Sequence, residues 1–259
     1  MVHLLDHPAA RRTRAINLAA RPTARCGECD ARHNGLCDAL DDDDIAFLAR
    51  VAERVRVPAG ALIIEEGEAA GSFFNINKGL VRLFKALPDG RRQIIGFAGA
   101  GHFLGLVKVA ADPCYAVSAE AMQPVELCRF NRASLAGVFA TFPALEHKLL
   151  EAATHELVLA QSQMLLLGRK TAAERIASFL LAWAERADMC APDGLPPAGA
   201  TLHLPLSRGD LADYLGLTIE TVSRAIGQLK RERLIGVPNI HDIVLLQPAA
   251  LAARADAAI

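Results

Sequence analysis

The sequence predicts an α+β chain built as an N-terminal β-roll of jelly-roll type, one long helix and a C-terminal winged helix-turn-helix. Three observations carry that expectation. Across residues 54–130 the apolar pattern has a period of two, in short β-branched and aromatic runs with Gly or Pro in nearly every gap, as antiparallel strands joined by tight turns require. Across residues 150–167 the apolar positions recur by three and four, which is helical spacing. Across residues 206–234 two short helical patterns meet at Gly216, and a small β-rich stretch follows at 235–246.

Taken in order, residues 1–24 are dotted with Arg11, Arg12, Arg14 and Arg21, lack a clear helical stripe and are expected to form a flexible tail. Residues 25–142 hold a cysteine loop and the β-roll. The loop packs Cys26, Cys29 and Cys37, half of the six cysteines, into twelve positions, with Gly27 and Gly35 to relieve the backbone. Three thiolates brought onto one centre suit iron-sulfur or zinc. A cubane wants a fourth cysteine from afar, Cys114, Cys128 or Cys190, whereas zinc could close locally through His33. Idle thiols are the least expected reading, because free cysteines are usually scattered and buried as small apolar residues. The carboxylates of Asp41, Asp42, Asp43 and Asp44 precede the apolar pattern Ile45, Leu48, Val51, as at a helix N-terminus that favours negative charge. Strand-like runs follow at 61–64, 72–76, 80–84, 93–97, 115–121 and 125–130, with a hairpin turn at Pro88, Asp89 and Gly90.

Residues 143–168 read as a long helix opening on Pro143, a residue tolerated in a first turn. Leu150, Ala153, Leu157, Ala160, Met164 and Leu167 form an a/d seam suited to a homodimer contact, or else the inner face of a helix packed on its own domain. Residues 169–259 complete the chain. A helix over 171–186 places Ile176, Phe179, Leu180 and Trp183 on one face, and a Pro/Gly-rich connector carrying Cys190 follows. In the next helix pair Leu211, Ala212 and Leu215 bury the first member, and Val222, Ile226 and Leu229 bury the second. A tight Gly turn between them is the geometry that offers a second helix to the major groove of double-stranded DNA. Thr218, Glu220, Thr221, Ser223, Arg224 and Gln228 then face outward. Glu can accept from cytosine N4, Arg can bracket guanine O6 and N7, and Ser or Thr can touch thymine or phosphate. Lys230, Arg231 and Arg233 are expected near phosphates.

Composition bounds the rest. With 259 residues and 52% hydrophobic content the chain can bury sizeable cores, which argues against disorder. Six cysteines are too sparse for a disulfide scaffold, and no signal peptide is evident, so a reducing cytoplasm is expected. No apolar run approaches the roughly 20 residues of a membrane span. A net charge of -1 means that nucleic-acid contact must come from a local surface.

Three features together resemble the CRP/FNR superfamily of bacterial transcription regulators, within it the cysteine-bearing FNR branch of FnrL/FnrN-like proteins. They are the Cys26, Cys29, Cys37 array, the segment from Met164 through Gly168 and Thr171 to Glu174, Arg175 and Ile176, and the helix from Tyr214 and Gly216 to Ser223 and Arg224. The resemblance covers nearly the whole chain after the tail. It implies a regulator, not an enzyme, with an oxygen-labile 4Fe-4S cluster on Cys26, Cys29, Cys37 and Cys128 that favours dimerisation and controls anaerobic or microaerobic genes. It also implies base reading by Glu220, Ser223 and Arg224. Ile219 stands where cAMP-type members carry arginine, so the implied target is a palindrome of TTGAT-type half-sites. The 88–91 hairpin resembles the family's RNA polymerase-contacting loop. No cyclic nucleotide is expected, because the stretch Cys114, Tyr115, Ala116, Val117 has no basic residue where cAMP-binding relatives hold the phosphate with an Arg-Ser pair. Ala160 departs from the prototype, which has an acidic residue there opposing dimerisation without the cluster. Two rivals share the cysteines: a zinc-knuckle regulator using His33, and a ferredoxin-like electron carrier or redox enzyme.

Overall fold

The computed structural model describes residues 26, 29–32, 35–105, 114–192 and 194–256. A 3-10 turn at Gly35–Ala39 leads into α1 (Asp42–Val51). The acidic run opens the helix as expected, with the Asp41 side chain at the N-cap accepting the Asp44 N–H at 2.8 Å, a partner for one of the helix's first orphan donors.

The strands β1 (Glu53–Val57), β2 (Leu62–Ile64), β3 (Ser72–Lys78), β4 (Val81–Ala86), β5 (Arg92–Ala98), β6 (Phe103–Leu104), β7 (Ser118–Ala121) and β8 (Val125–Asn131) follow. They form two antiparallel four-stranded sheets, ordered β1-β8-β3-β6 and β2-β7-β4-β5. Val55, Val57, Phe74, Ile76, Val81, Ala119, Ala121, Val125 and Leu127 fill the space between them. The outer faces are covered too. On the first sheet Phe73 and Phe130 stack with centroids 5.3 Å apart beneath Leu40, Ile45 and Leu48. On the second, Leu80, Phe84, Ile94 and Phe97 join the core of the C-terminal domain. Burial on both faces explains why β3 shows no simple alternation, being buried from Ser72 to Asn77.

After β8 the chain forms α2 (Arg132–Thr141), α3 (Pro143–Arg169) and α4 (Ala172–Arg186). Helix α2 was not among the sequence expectations. Pro143 sits in the first turn of α3, and a Thr171–Glu174 capping box opens α4. The C-terminal domain adds β9 (Ala200–His203), α5 (Arg208–Leu215), α6 (Ile219–Arg231), β10 (Ile235–Gly236), β11 (Asp242–Leu245) and α7 (Pro248–Ala255). The wing is a three-stranded sheet in the order β10-β11-β9; β9 begins where the 189–200 connector ends and was not among the sequence expectations. Leu211, Leu215, Val222 and Leu229 are buried with Trp183 and Leu202, and the two faces read from the sequence are the ones packed inward. Aromatic rings bind this domain to the roll: Phe97 lies 5.6 Å from Trp183 and 5.1 Å from Tyr214. Arg82 adds Asp210 and Glu120 at 2.6 Å each.

Gly216 ends α5 with φ +60°, a left-handed conformation that L side chains adopt at a cost. A Cβ there would lie 3.2 Å from Leu167 Cδ2. Gly216→Ala is therefore expected to lower the unfolding free energy by about 1–2 kcal/mol, read from the urea midpoint. An unshifted midpoint would mean that the turn carries no such strain.

Candidate cysteine centre and nucleic-acid interface

In the β8 register Cys128 lies between Arg54 of β1 and Asn75 of β3. Leu127 points into the roll while Cys128 and Phe130 point out, toward the cysteine loop. Cys26, Cys37 and Cys128 pack against one apolar cluster there. Arg32 holds the loop in shape, donating to Cys37 O at 2.9 Å, Leu40 O at 3.1 Å and Asp42 Oδ1 at 3.1 Å. Glycine permits the docking: Gly35 has φ +72°, and a Cβ on it would fall 2.0 Å from Gly101 O.

The thiols feel one another. Burial pushes the Cys37 thiol up to about 12, with Cys128, Cys29 and Cys26 adding to the rise and Arg32 opposing it. Burial also raises Cys128, against a hydrogen bond from Asn77 and the charge of Arg54, while Cys29 and Cys26 raise it further. Asn77 Nδ2 donates to Cys128 Sγ at 3.1 Å, and Asn75 Nδ2 reaches Cys37 Sγ at 3.9 Å. Among the described residues no three His, Cys, Asp or Glu side chains close on a point that could hold a single metal ion. The four cysteines share a neighbourhood, and as a set of soft donors they fit an iron-sulfur centre in kind and number.

Of the other candidates, Cys114 is exposed and sits in an isolated bridge to Ala69. Cys190, expected in an exposed loop, is half-buried against the C-terminal core. His33 and the 1–24 tail lie outside the described residues. Sequence reasoning passed over Arg54, Asn75 and Asn77. The available signal was a pair of amides two apart inside the apolar run of β3.

Helix α3 begins beneath this centre and ends on the helix-turn-helix. Cys37 and Leu145 line one apolar cleft with Phe73 and Phe130, and Lys148 Nζ lies 3.8 Å from Asp38. At the far end Gln163 donates to Tyr214 O at 2.8 Å, and Arg175 ties Leu167 O at 2.8 Å to Leu215 O at 2.7 Å. Between these ends the seam lies open, with Leu150, Leu157 and Met164 exposed by 66%, 58% and 73%. Leu167 departs from it, half-buried against the C-terminal core.

On α6 Thr218 is the N-cap, accepting the Thr221 N–H at 3.2 Å. Glu220, Ser223, Arg224 and Lys230 are exposed and Thr221 half-buried. Glu220 and Arg224, one helical turn apart on α6, make no ion pair within 4 Å. Arg224 donates instead to Thr221 Oγ1 at 3.2 Å, and its charge still helps hold the Glu220 carboxyl low, after hydrogen bonds from the Glu220 backbone and Thr218. Arg224, Gln228 and Arg231 line a cleft beside the start of α4. Thr218 and Thr221 face Leu87 and Arg91 of the β4–β5 hairpin across another.

Comparison with known proteins agrees with both halves. The model of the Crp-like helix-turn-helix domain matches residues 174–254 and that of the cyclic nucleotide-binding domain residues 54–142. The nitrogen fixation regulation protein FixK of Bradyrhizobium diazoefficiens is 41% identical over 233 residues, 90% of this chain and 94% of that protein. The transcriptional activator protein FnrL of Cereibacter sphaeroides is 34% identical over 227 residues, 88% of this chain and 90% of that protein. The solved structure of FixK2 from Bradyrhizobium japonicum superposes with a TM-score of 0.69 at 37% identity, covering 81% of this chain and all of that one. No helix among the described residues is long and apolar enough to cross a membrane. With a β-roll, a long helix and a winged helix-turn-helix in this order, the chain belongs to the CRP/FNR family of DNA-binding transcription regulators and is not an enzyme.

Proposed function

We propose that this regulator is an oxygen-responsive activator whose Cys26, Cys29, Cys37 and Cys128 hold a 4Fe-4S cluster, and whose homodimer binds palindromes of TTGAT-type half-sites. The observation that carries the reading is the packing of Cys26, Cys37 and Cys128 on one outer sheet face against the start of α3, with Cys29 near enough to raise the Cys37 and Cys128 thiols. Four mutually repelling thiolates need a cation among them to stay ionised. A lone ion would need these donors to close on one point, which they do not, whereas each thiolate of a cubane binds its own iron.

When bound, the cluster supplies an oxygen-labile tie between the loop and β8. The chain's own residues do the rest. Cys37 and Asp38 press the loop on Leu145 and Lys148 of α3, so ordering the loop biases that helix toward pairing. Pairing across the open seam sets two α6 helices to read adjacent major grooves, and dimer population then controls occupancy. The β4–β5 hairpin presents Asp89 and Arg91 to solvent as the surface offered to RNA polymerase. Anaerobic purification tests the reading: a brown protein with iron and sulfide that binds the palindrome, and loses both properties in air, is expected. A colourless zinc protein that binds DNA equally with and without air would overturn it.

On α6, Arg224→Ala is expected to cost about 1–3 kcal/mol per half-site and to flatten discrimination at one guanine, because a bidentate base contact is lost. Lys230→Ala should weaken all sequences alike and reduce the salt slope by about 1. Competition binding at several salt concentrations separates the two. Full guanine preference in the Arg224 variant would remove that residue as the reader.

A further inference from the structure

Strand β3 turns Phe73, Asn75 and Asn77 toward the cysteine loop, and only the first makes sense as packing. Phe73 stacks on Phe130. At the next two positions an aliphatic side chain would fill the same space, yet both carry amides, exposed by 2% and 4%. Neither caps a helix nor closes a turn. Each leaves its Oδ1 buried with no hydrogen-bond partner among the described residues, a cost to the fold that occurs twice within three residues. Their Nδ2 groups, in contrast, both aim at sulfur: Asn77 at Cys128 Sγ, 3.1 Å, and Asn75 at Cys37 Sγ, 3.9 Å.

The backbone is shaped for this as well. Asn75 is the ladder partner of Cys128, and the β3–β8 register slips between Ile76 and Lys78. Asn77 is thus the extra residue of a bulge, the irregularity that re-aims a side chain. Without the slip Asn77 would stand opposite Glu126, two residues from Cys128. With it, Asn77 donates to the same cysteine that Asn75 pairs with in the ladder. Phe73, Phe103 and Phe130 line the same cleft as Cys37 and Asn75 and belong to the apolar cluster against which Cys128 packs, and low polarity strengthens an N–H to sulfur contact.

We propose that Asn75 and Asn77 are positioning residues for the cysteine centre, their amide N–H groups donating to the thiolates of Cys37 and Cys128 and setting how electron-rich those ligands are. The inference rests on the cluster reading above and adds what that reading lacks, a determinant of the centre's potential within the β-roll. Hydrogen bonds to ligand sulfur draw charge from the centre and raise its reduction potential.

The test uses the full-length protein, purified anaerobically, as wild type and as Asn77→Leu, Asn75→Leu and Asn77→Gln. All four are expected to hold equal iron and sulfide. The midpoint potential for one-electron reduction should shift negative in Asn77→Leu, shift less in Asn75→Leu, whose contact is longer, and return toward wild type in Asn77→Gln, which keeps an amide donor. Equal potentials in wild type and Asn77→Leu, both carrying the cluster, would overturn the inference and leave the cluster reading intact. Absence of iron and sulfide from the wild type would overturn both. Should Asn77→Leu not accumulate as folded protein, Asn77→Ala carries the same comparison, with the same negative shift expected and an unchanged potential overturning the inference.

Discussion

Cys128→Ser is expected to take the anaerobic protein from roughly four irons per chain to essentially none, with the visible absorption lost and operator binding falling to that of the air-exposed protein. A hydroxyl is a poor ligand for a soft metal centre, and in the proposed centre Cys128 is the one ligand on β8. Cys26→Ser, Cys29→Ser and Cys37→Ser should behave alike. Cys114→Ser and Cys190→Ser are the controls and should retain iron, since Cys114 is exposed beside Ala69 and Cys190 packs on the C-terminal core. Iron and sulfide analysis reads the series directly. A protein bleached by Cys114→Ser and left coloured by Cys128→Ser would reverse the assignment of the fourth ligand.

Leu157→Glu is expected to produce monomers even in the absence of oxygen. Leu157 is 58% exposed in the single chain, so the substitution disturbs no core and the thermal unfolding of the monomer should hardly change. In a dimer joined along α3 the two carboxylates would face each other across an apolar seam, where desolvation costs several kcal/mol per ion. A penalty of about 3 kcal/mol already raises the dimer dissociation constant by roughly 100-fold. Sedimentation velocity on the anaerobic protein measures it, and a variant that stays dimeric would remove this stretch of α3 from the interface. Ala160, placed on the same exposed face, offers no charge against pairing, so air-exposed wild-type protein should retain more dimer than an Ala160→Asp variant.

Local periodicity along the chain is enough to specify the elements whose apolar faces repeat. Helix α6 was legible because Val222, Ile226 and Leu229 repeat at helical spacing beside a polar face, and the 88–90 turn because its residues favour a hairpin. The α1 cap was legible from the acidic run before Ile45. Helix α2 was not, since its ten residues, three of them Ala and one Gly, carry little apolar contrast between faces, and β9, just beyond the Pro/Gly-rich connector, was missed because its pairing partner, β11, lies some 40 residues away. The cysteine centre divides in the same way. Its three loop members announce themselves by spacing, but Cys114, Cys128 and Cys190 look alike along the chain. Only the strand order β1-β8-β3-β6 and its register bring Cys128 to the loop, and only burial of β3 on both faces makes Asn75 and Asn77 anomalous. A periodic pattern records which face of an element is covered, whereas the identity of what covers it is set by contacts between segments far apart in sequence, and those exist only once the sheets have packed.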